Sequence, residues 1–144
     1  MSRRPGNTPG ITDLKLLLSG MKPNLVEGEF VYCNVPASTF ADLVHLEPVG
    51  LFREREGVTL ILPLETARQA GFPAAPAMRM ITLDIHSSLE AVGLTAAFAT
   101  ALGNEGISAN VVAAYYHDHI FVSVGDADRA MAALQALSAA QTPF

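Results

Sequence analysis

The order of secondary structure predicted after residue 77 is the feature that most restricts the fold of this chain. From Met78 onward the sequence predicts a strand, a helix, two strands and a second helix. A strand–helix–strand connection is right-handed, so we expect the first two strands to be parallel neighbours in one sheet. The order is typical of a split βαβ unit of ferredoxin-like, α+β type. No closing strand is evident before Phe144, so we expect another segment to fill that edge.

The first strand and helix of this unit are sharply marked. The run from Met78 to Ile85 is typical of a buried strand. Ser87 and Glu90 have the spacing of a capping box, which predicts that a helix starts there. Gly106 predicts its end, because glycine readily adopts the left-handed conformation of a C′ residue. Apolar side chains at four-residue spacing form the buried stripe of the helix, namely Leu94, Phe98 and Leu102.

The rest of the unit is a hairpin followed by a helix. Residues 108 to 116 and 120 to 124 are rich in β-formers, and His117-Asp118-His119 between them predicts the turn. Asp126 is expected to open the last helix. Its predicted core stripe consists of Ala127, Ala130, Met131, Leu134 and Leu137.

A fainter copy of the same order precedes this unit. Residues 49 to 54 and 58 to 62 predict a hairpin, and residues 65 to 70 a short helix that ends at Gly71. An offset of 61 residues places Glu65 on Asp126 and Arg68 on Arg129, which indicates an internal repeat. We therefore expect a flexible tail over residues 1 to 10 and two tandem repeats, residues 11 to 75 and 76 to 140. Both repeats are expected to form antiparallel sheets with helices on one face.

Composition restricts the partners and the compartment. A formal charge of −5 disfavours nucleic acid, because an acidic chain repels phosphate backbones. No apolar run approaches the roughly 20 residues that span a bilayer, so we expect no membrane insertion. Cys33 is the single cysteine and cannot form an internal disulfide, which is consistent with a cytoplasmic protein.

Catalytic patterns are not evident, and the sequence predicts no catalytic residues and no cofactor. It contains neither a nucleophile elbow nor a glycine-rich phosphate loop. His117, Asp118 and His119, with His86 as a distant third imidazole, are the candidates for a metal site. A polar turn whose Asp118 bonds to its own backbone is the favoured interpretation. A small metal-dependent enzyme using this turn remains the alternative.

A binding site is predicted where the first strand of the unit passes into its helix. Free backbone amides at Ser87-Ser88-Leu89 and the positive end of a helix dipole can hold a carboxylate, although simple helix capping explains the same residues. Ser108 begins the strand expected to lie beside this turn. Hydroxyl and carbonyl oxygens there can accept hydrogen bonds from an ammonium group.

Three stretches together resemble a family of small bacterial ACT-domain proteins that carry two ACT-like repeats. They are residues 81 to 94, ITLDIHSSLEAVGL, residues 105 to 112, EGISANVV, and residues 114 to 119, AYYHDH. The resemblance covers the chain from Ile11 to about Ala139. It extends more weakly to the CASTOR arginine sensors of animals, through the segment from Gly106 to Val112.

The resemblance implies a regulatory module that binds an amino acid and has no catalytic activity of its own. It implies a site made by Ser87, Ser88 and Leu89 on one side and by Ile107, Ser108 and Ala109 on the other. We also expect a homodimer, because a missing last strand would leave an open sheet edge. The target would be an unidentified enzyme. A purely structural interaction module is a further alternative.

Overall fold

The computed structural model describes residues 11 to 84 and 93 to 140, with side chains from Leu14 onward. Within these ranges the strands are β1 (Pro23–Leu25), β2 (Phe30–Val35), β3 (Gly50–Glu54), β4 (Gly57–Pro63), β5 (Met78–Leu83), β6 (Asn110–Ala113) and β7 (Asp118–Ser123). The α-helices are α1 (Ile11–Gly20), α2 (Leu64–Gln69), α3 (Leu94–Asn104) and α4 (Ala127–Ala140). Two 3₁₀-helices, Ala37–Leu46 and Val124–Asp126, complete the described elements.

All the strands form one antiparallel sheet in the order β3-β4-β2-β5-β7-β6. Strand β1 lies outside this order and pairs with β5, on the same edge of β5 as β2. Each half contributes a strand, a helical segment, a hairpin and a helix. The predicted α+β class, with tandem ferredoxin-like repeats, is confirmed. In the first half the 3₁₀-helix occupies the place of the first helix, and Phe40 and Leu43 pack from it onto the sheet.

The first two strands of the second half, β5 and β6, are predicted to be neighbours in the sheet, and this prediction is wrong. Strand β7 lies between β5 and β6 and pairs antiparallel with both, so β5 and β6 are parallel but separated. A crossover through α3 therefore spans two strand positions, roughly 10 Å. The hairpin that follows can then place its second strand in the gap.

The predicted turn at His117-Asp118-His119 is also displaced. Asp118 and His119 belong to β7, where they pair with Leu83 and Thr82. The turn lies earlier, closed by the amide of Ala114 donating to the carbonyl of His117 at 3.0 Å. Pairing with β5 extends β7 by these two polar residues, a gain in backbone hydrogen bonds that the local sequence does not reveal.

Another segment was expected at the edge that lacked a strand, and the structure shows that it is the N-terminal segment. Pro23 to Leu25 of β1 pair with Leu83 to Ile81 of β5. Leu18 and Met21 are buried in the same cluster as Ile81 and Leu134. The open edge of β5 that motivated a dimer is therefore not there, because β7 occupies one side of this strand and β1 with β2 the other. The division of the chain at residues 75 and 76 stays a prediction.

Helix α3 has the predicted stripe and end. Leu94, Phe98 and Leu102 are all buried. Gly106 has φ +72°, and the amide of Ile107 donates to the carbonyl of Leu102 at 3.0 Å. The helix begins at Leu94, after Gly93 with φ +94° and without a side-chain cap. The capping box at Ser87 and Glu90 lies outside the described residues.

Apolar side chains fill both faces of the sheet. The helical face carries one cluster in each half of the chain. On the other face, which we call the open face, a third cluster has Phe30, Ile61 and Phe121 at its centre, each no more than 5% exposed. The open face therefore has a packed apolar cluster of its own where the two halves meet.

Candidate functional site

The structure describes only some of the residues that are predicted to bind the ligand. Ser87, Ser88 and Leu89 lie outside the described residues. Ile107 is buried in the core of the second half, and its amide is used by the end of α3. Ser108 is exposed and Ala109 is half-buried. Of the described group, Ser108 therefore has the side chain best placed to meet a ligand.

The strand register separates Ser108 from the end of β5. Ala113 is level with Asp118 and Leu83, whereas Asn110 is level with Phe121 and Met80. Three residues of a strand span about 10 Å, and Ser108 precedes Asn110. Within one chain the start of β6 therefore lies at the opposite end of the sheet from Leu83, the last residue of β5. The turn of Ser87, Ser88 and Leu89, beside which Ser108 is expected, lies outside the described residues.

The histidines of the second hairpin form a polar cluster on the open face. The Nδ1 atom of His119 lies 2.9 Å from the Thr82 hydroxyl oxygen, and its ring centroid is 6.5 Å from that of His117. Burial lowers the pKa of His119, assisted by the nearby charge of His117 and opposed by Asp118. Burial also raises the pKa of Asp118, against the opposing effect of both imidazoles. These shifts favour the neutral forms of both groups.

The metal alternative gains no support from this cluster. In residues 11 to 84 and 93 to 140, no three His, Cys, Asp or Glu side chains are grouped closely enough to hold a metal ion. His86, the third imidazole of that hypothesis, lies outside these ranges.

A cleft opens on the open face where the two halves meet. Its volume is about 120 Å³, and its lining comes from β2, β5, β6 and the segment before β5: Tyr32, Ala75, Pro76, Met78 and Asn110. The Asn110 amide nitrogen donates to the carbonyl of Phe121 at 3.2 Å. Burial raises the pKa of the Tyr32 phenol, which therefore keeps its proton.

Arg79 is a second feature that the sequence patterns did not single out. The Nη2 atom of this half-buried side chain donates to the carbonyl of Val26 at 3.1 Å, and its buried Nε has no partner. Among the described residues no carboxylate forms an ion pair with it. An arginine inside a run typical of a buried strand was the available signal, because a charge at such a position normally has a partner.

Comparisons with known proteins identify the fold and a relative. Two models of the ACT domain match, one over residues 9–79 and the other over residues 77–136. VC0802 from Vibrio cholerae, a protein of unknown function described as a possible transport protein, is 50% identical. That comparison covers 88% of this chain and 97% of that one, with a TM-score of 0.80.

More distant structures share the fold alone. Atu0741 from Agrobacterium tumefaciens is 16% identical, with 82% of this chain and 89% of that chain covered and a TM-score of 0.68. The regulatory subunit of aspartate kinase from Thermus thermophilus is 10% identical, with 80% and 95% covered and a TM-score of 0.59. No curated protein matches the sequence. None of the helices in the described part of the chain has the length and apolar character of a membrane span.

Proposed function

Because the chain belongs to the ACT-domain family, we propose that it is a regulatory module that binds a free amino acid and catalyses no reaction. ACT domains generally bind small molecules of this kind. The match of ACT models to both halves of the chain is the observation that carries the proposal. We further propose that it acts in the cytoplasm on a separate enzyme.

The proposed site joins two groups with complementary chemistry. Ser87, Ser88 and Leu89 would offer backbone amides to the ligand carboxylate. Ser108 and Ala109 would offer hydroxyl and carbonyl oxygens to its ammonium group. The exposed position of Ser108 supports this role, since its side chain can reach a ligand without any change in the core.

The register favours a site shared by two copies of the chain. Within one chain β6 starts at the opposite end of the sheet from Leu83, where β5 ends. β6 is also an edge strand, so a second copy can approach it. We therefore propose a homodimer in which one copy contributes Ser87 to Leu89 and its partner contributes Ile107 to Ala109.

A thermal-shift screen of the amino acids tests the proposal. A ligand that binds only the folded state adds about 2.7 kcal/mol at one hundred times its Kd, which moves the melting midpoint by several degrees. Ser108→Leu should abolish the shift while the unliganded protein stays folded. Thr100→Leu, a polar-to-Leu change at an exposed position of α3, is the control and should leave the shift intact.

The oligomeric state separates the shared site from a site within one chain. Light scattering after gel filtration should give a dimer in the presence of the amino acid that shifts the midpoint. A monomer saturated with that amino acid would refute the shared site. If no amino acid at millimolar concentration moves the midpoint, the sensor proposal fails; stoichiometric zinc in the purified protein would then favour the metal-dependent alternative.

A further inference from the structure

The cleft on the open face is formed by parts of the chain that are distant in sequence. Tyr32 comes from β2 in the first half, Asn110 from β6 in the second, and Ala75 and Pro76 from the segment between the halves. Phe121 contacts two of these lining residues: its ring packs edge to face against Tyr32, and its carbonyl accepts a hydrogen bond from the Asn110 side chain. The shape of the cleft therefore depends on both halves together.

Most of the lining side chains are apolar, and two, Tyr32 and Asn110, can form hydrogen bonds. The side chains of Met78, Pro76 and Ala75 have no nitrogen or oxygen atoms, and a methionine side chain adapts readily to the shape of an occupant. The Asn110 side chain donates one amide hydrogen to the carbonyl of Phe121. The side-chain oxygen of Asn110 can therefore accept a hydrogen bond from a ligand. The Tyr32 hydroxyl can donate or accept. A ligand with a single polar group can therefore satisfy both.

Within residues 11 to 84 and 93 to 140, no charged side chain lines the cleft. None of the five lining side chains is ionised at neutral pH, since burial raises the pKa of Tyr32 further above its ordinary value. Moving a carboxylate or ammonium group out of water without a charged partner is strongly unfavourable. An amino acid zwitterion therefore finds no charged partner among these side chains, and the described residues of the amino acid site proposed above, Ile107 to Ala109, do not line this cleft.

We propose that the cleft is a second binding site, which takes a small uncharged molecule consisting of one ring and one polar substituent. Its volume of about 120 Å³ is similar to that of apolar cavities that hold a single benzene ring, about 150 Å³. The ring packs against Met78 and Pro76, and the polar substituent meets the Tyr32 hydroxyl and the Asn110 carbonyl oxygen. Because the lining comes from both halves, such a ligand stabilises the observed arrangement of the two repeats.

Phenol is the probe that fits this description, and benzoate is its charged counterpart. Titration of ¹⁵N-labelled protein with phenol should give saturable shifts at the amides of Tyr32, Met78 and Asn110, with a Kd on the order of 1 mM for so small a ligand. Benzoate should bind at least about tenfold more weakly, because its carboxylate loses its hydration.

Variants place the probe in the cleft. Tyr32→Phe keeps the ring that contacts Phe121 and removes one hydrogen bond, so phenol should bind about three- to tenfold more weakly. Tyr115→Phe makes the same change at a side chain that is 76% exposed and outside the cleft, and it should leave the affinity unchanged. Asn110→Leu, at an exposed edge position, should block the cleft and remove the saturable shifts.

Three results would overturn the proposal: phenol shifts that do not saturate, equal affinity for benzoate, or unchanged affinity in both Tyr32→Phe and Asn110→Leu. The unliganded spectrum of each variant reports whether it is folded. Should Tyr32→Phe fail to fold, Asn110→Leu alone decides. The outcome is independent of the amino acid screen, because Ser108→Leu is expected to leave phenol binding intact.

Discussion

The ring of Tyr32 meets the ring of Phe121 edge to face, with centroids 5.6 Å apart and planes at 87°. Tyr32 lies on β2 and Phe121 on β7, two strands that are separated in the sheet by β5. Phe30 makes a similar contact with Phe121 at 6.1 Å. Phe121 is therefore the side chain through which the open faces of the two halves are packed together.

Replacement of Phe121 by alanine tests this role. Truncation of a buried phenylalanine leaves a cavity, and we expect the free energy of unfolding to fall by about 3–5 kcal/mol. Phe52→Ala is the matched control: its side chain is 71% exposed on the same sheet, so the loss should stay within about 0.5 kcal/mol. Urea unfolding followed by circular dichroism measures both. If Phe121→Ala lowered the free energy of unfolding as little as Phe52→Ala, the open-face cluster would contribute little to stability.

Met21 tests whether the N-terminal segment belongs to the core of the second half. It is 1% exposed and clusters with Ile81 and Leu134, so Met21→Ala should destabilise the protein by about 2–5 kcal/mol. Native-state hydrogen exchange should show the largest loss of protection in β5 and α4. Leu16→Ala in the preceding helix, at a side chain 65% exposed, is expected to have little effect. A loss confined to the β3–β4 hairpin would contradict this packing.

Gly57 and Gly103 should respond to alanine in opposite directions. Gly57 has φ +150°, and a Cβ atom there would lie 2.5 Å from the carbonyl oxygen of Val35. Gly57→Ala should therefore lower the free energy of unfolding by more than about 1 kcal/mol. Gly103 lies in α3, and a Cβ atom added there would meet no atom of another element within 4 Å, so Gly103→Ala should raise it by roughly 0.5–1 kcal/mol. Thermal melts of both variants provide the comparison.

Asp118 is expected to cost stability at neutral pH. Its pKa is raised chiefly by burial, so the folded protein holds this proton more tightly than the unfolded chain does. Protonated Asp118 therefore stabilises the fold relative to ionised Asp118. This stabilisation is complete below the pKa of the unfolded chain, about 3.9, and it is lost as the pH rises through the pKa of the folded protein. Asp118→Asn should raise the melting midpoint at pH 7, and the gain should vanish below about pH 4. A gain that persists at about pH 3 would point to a cause other than titration.

His119 should act in the opposite sense. Burial lowers its pKa, so its contribution to stability is complete above the unfolded pKa, about 6.5, and is lost as the pH falls through the folded value. His119→Gln should flatten the decrease in melting midpoint between about pH 7 and pH 5. His45→Gln, on the exposed side of the 3₁₀-helix, is the control and should leave the decrease in place. If the melting midpoint of His119→Gln fell with pH as steeply as that of the unaltered protein, other groups would be responsible for the decrease.

Local signals in the sequence determined most of the elements. The stripe of Leu94, Phe98 and Leu102 depends only on helical spacing, and all three side chains are buried as predicted. The end of α3 at Gly106 follows from backbone preferences of neighbouring residues. The resemblance to ACT domains likewise depends on stretches of contiguous residues, so the sequence alone indicates the family.

Tertiary structure alone decided the arrangement of those elements. The position of β7 between β5 and β6, and the pairing of β1 with β5, join residues that are far apart in sequence. Such pairings are chosen by which apolar faces can be buried together, and no local pattern encodes that choice. For the same reason no local pattern predicts how far Ser108 lies from the end of β5, or that Tyr32 and Asn110 line one cleft: each depends on strand order across the whole sheet.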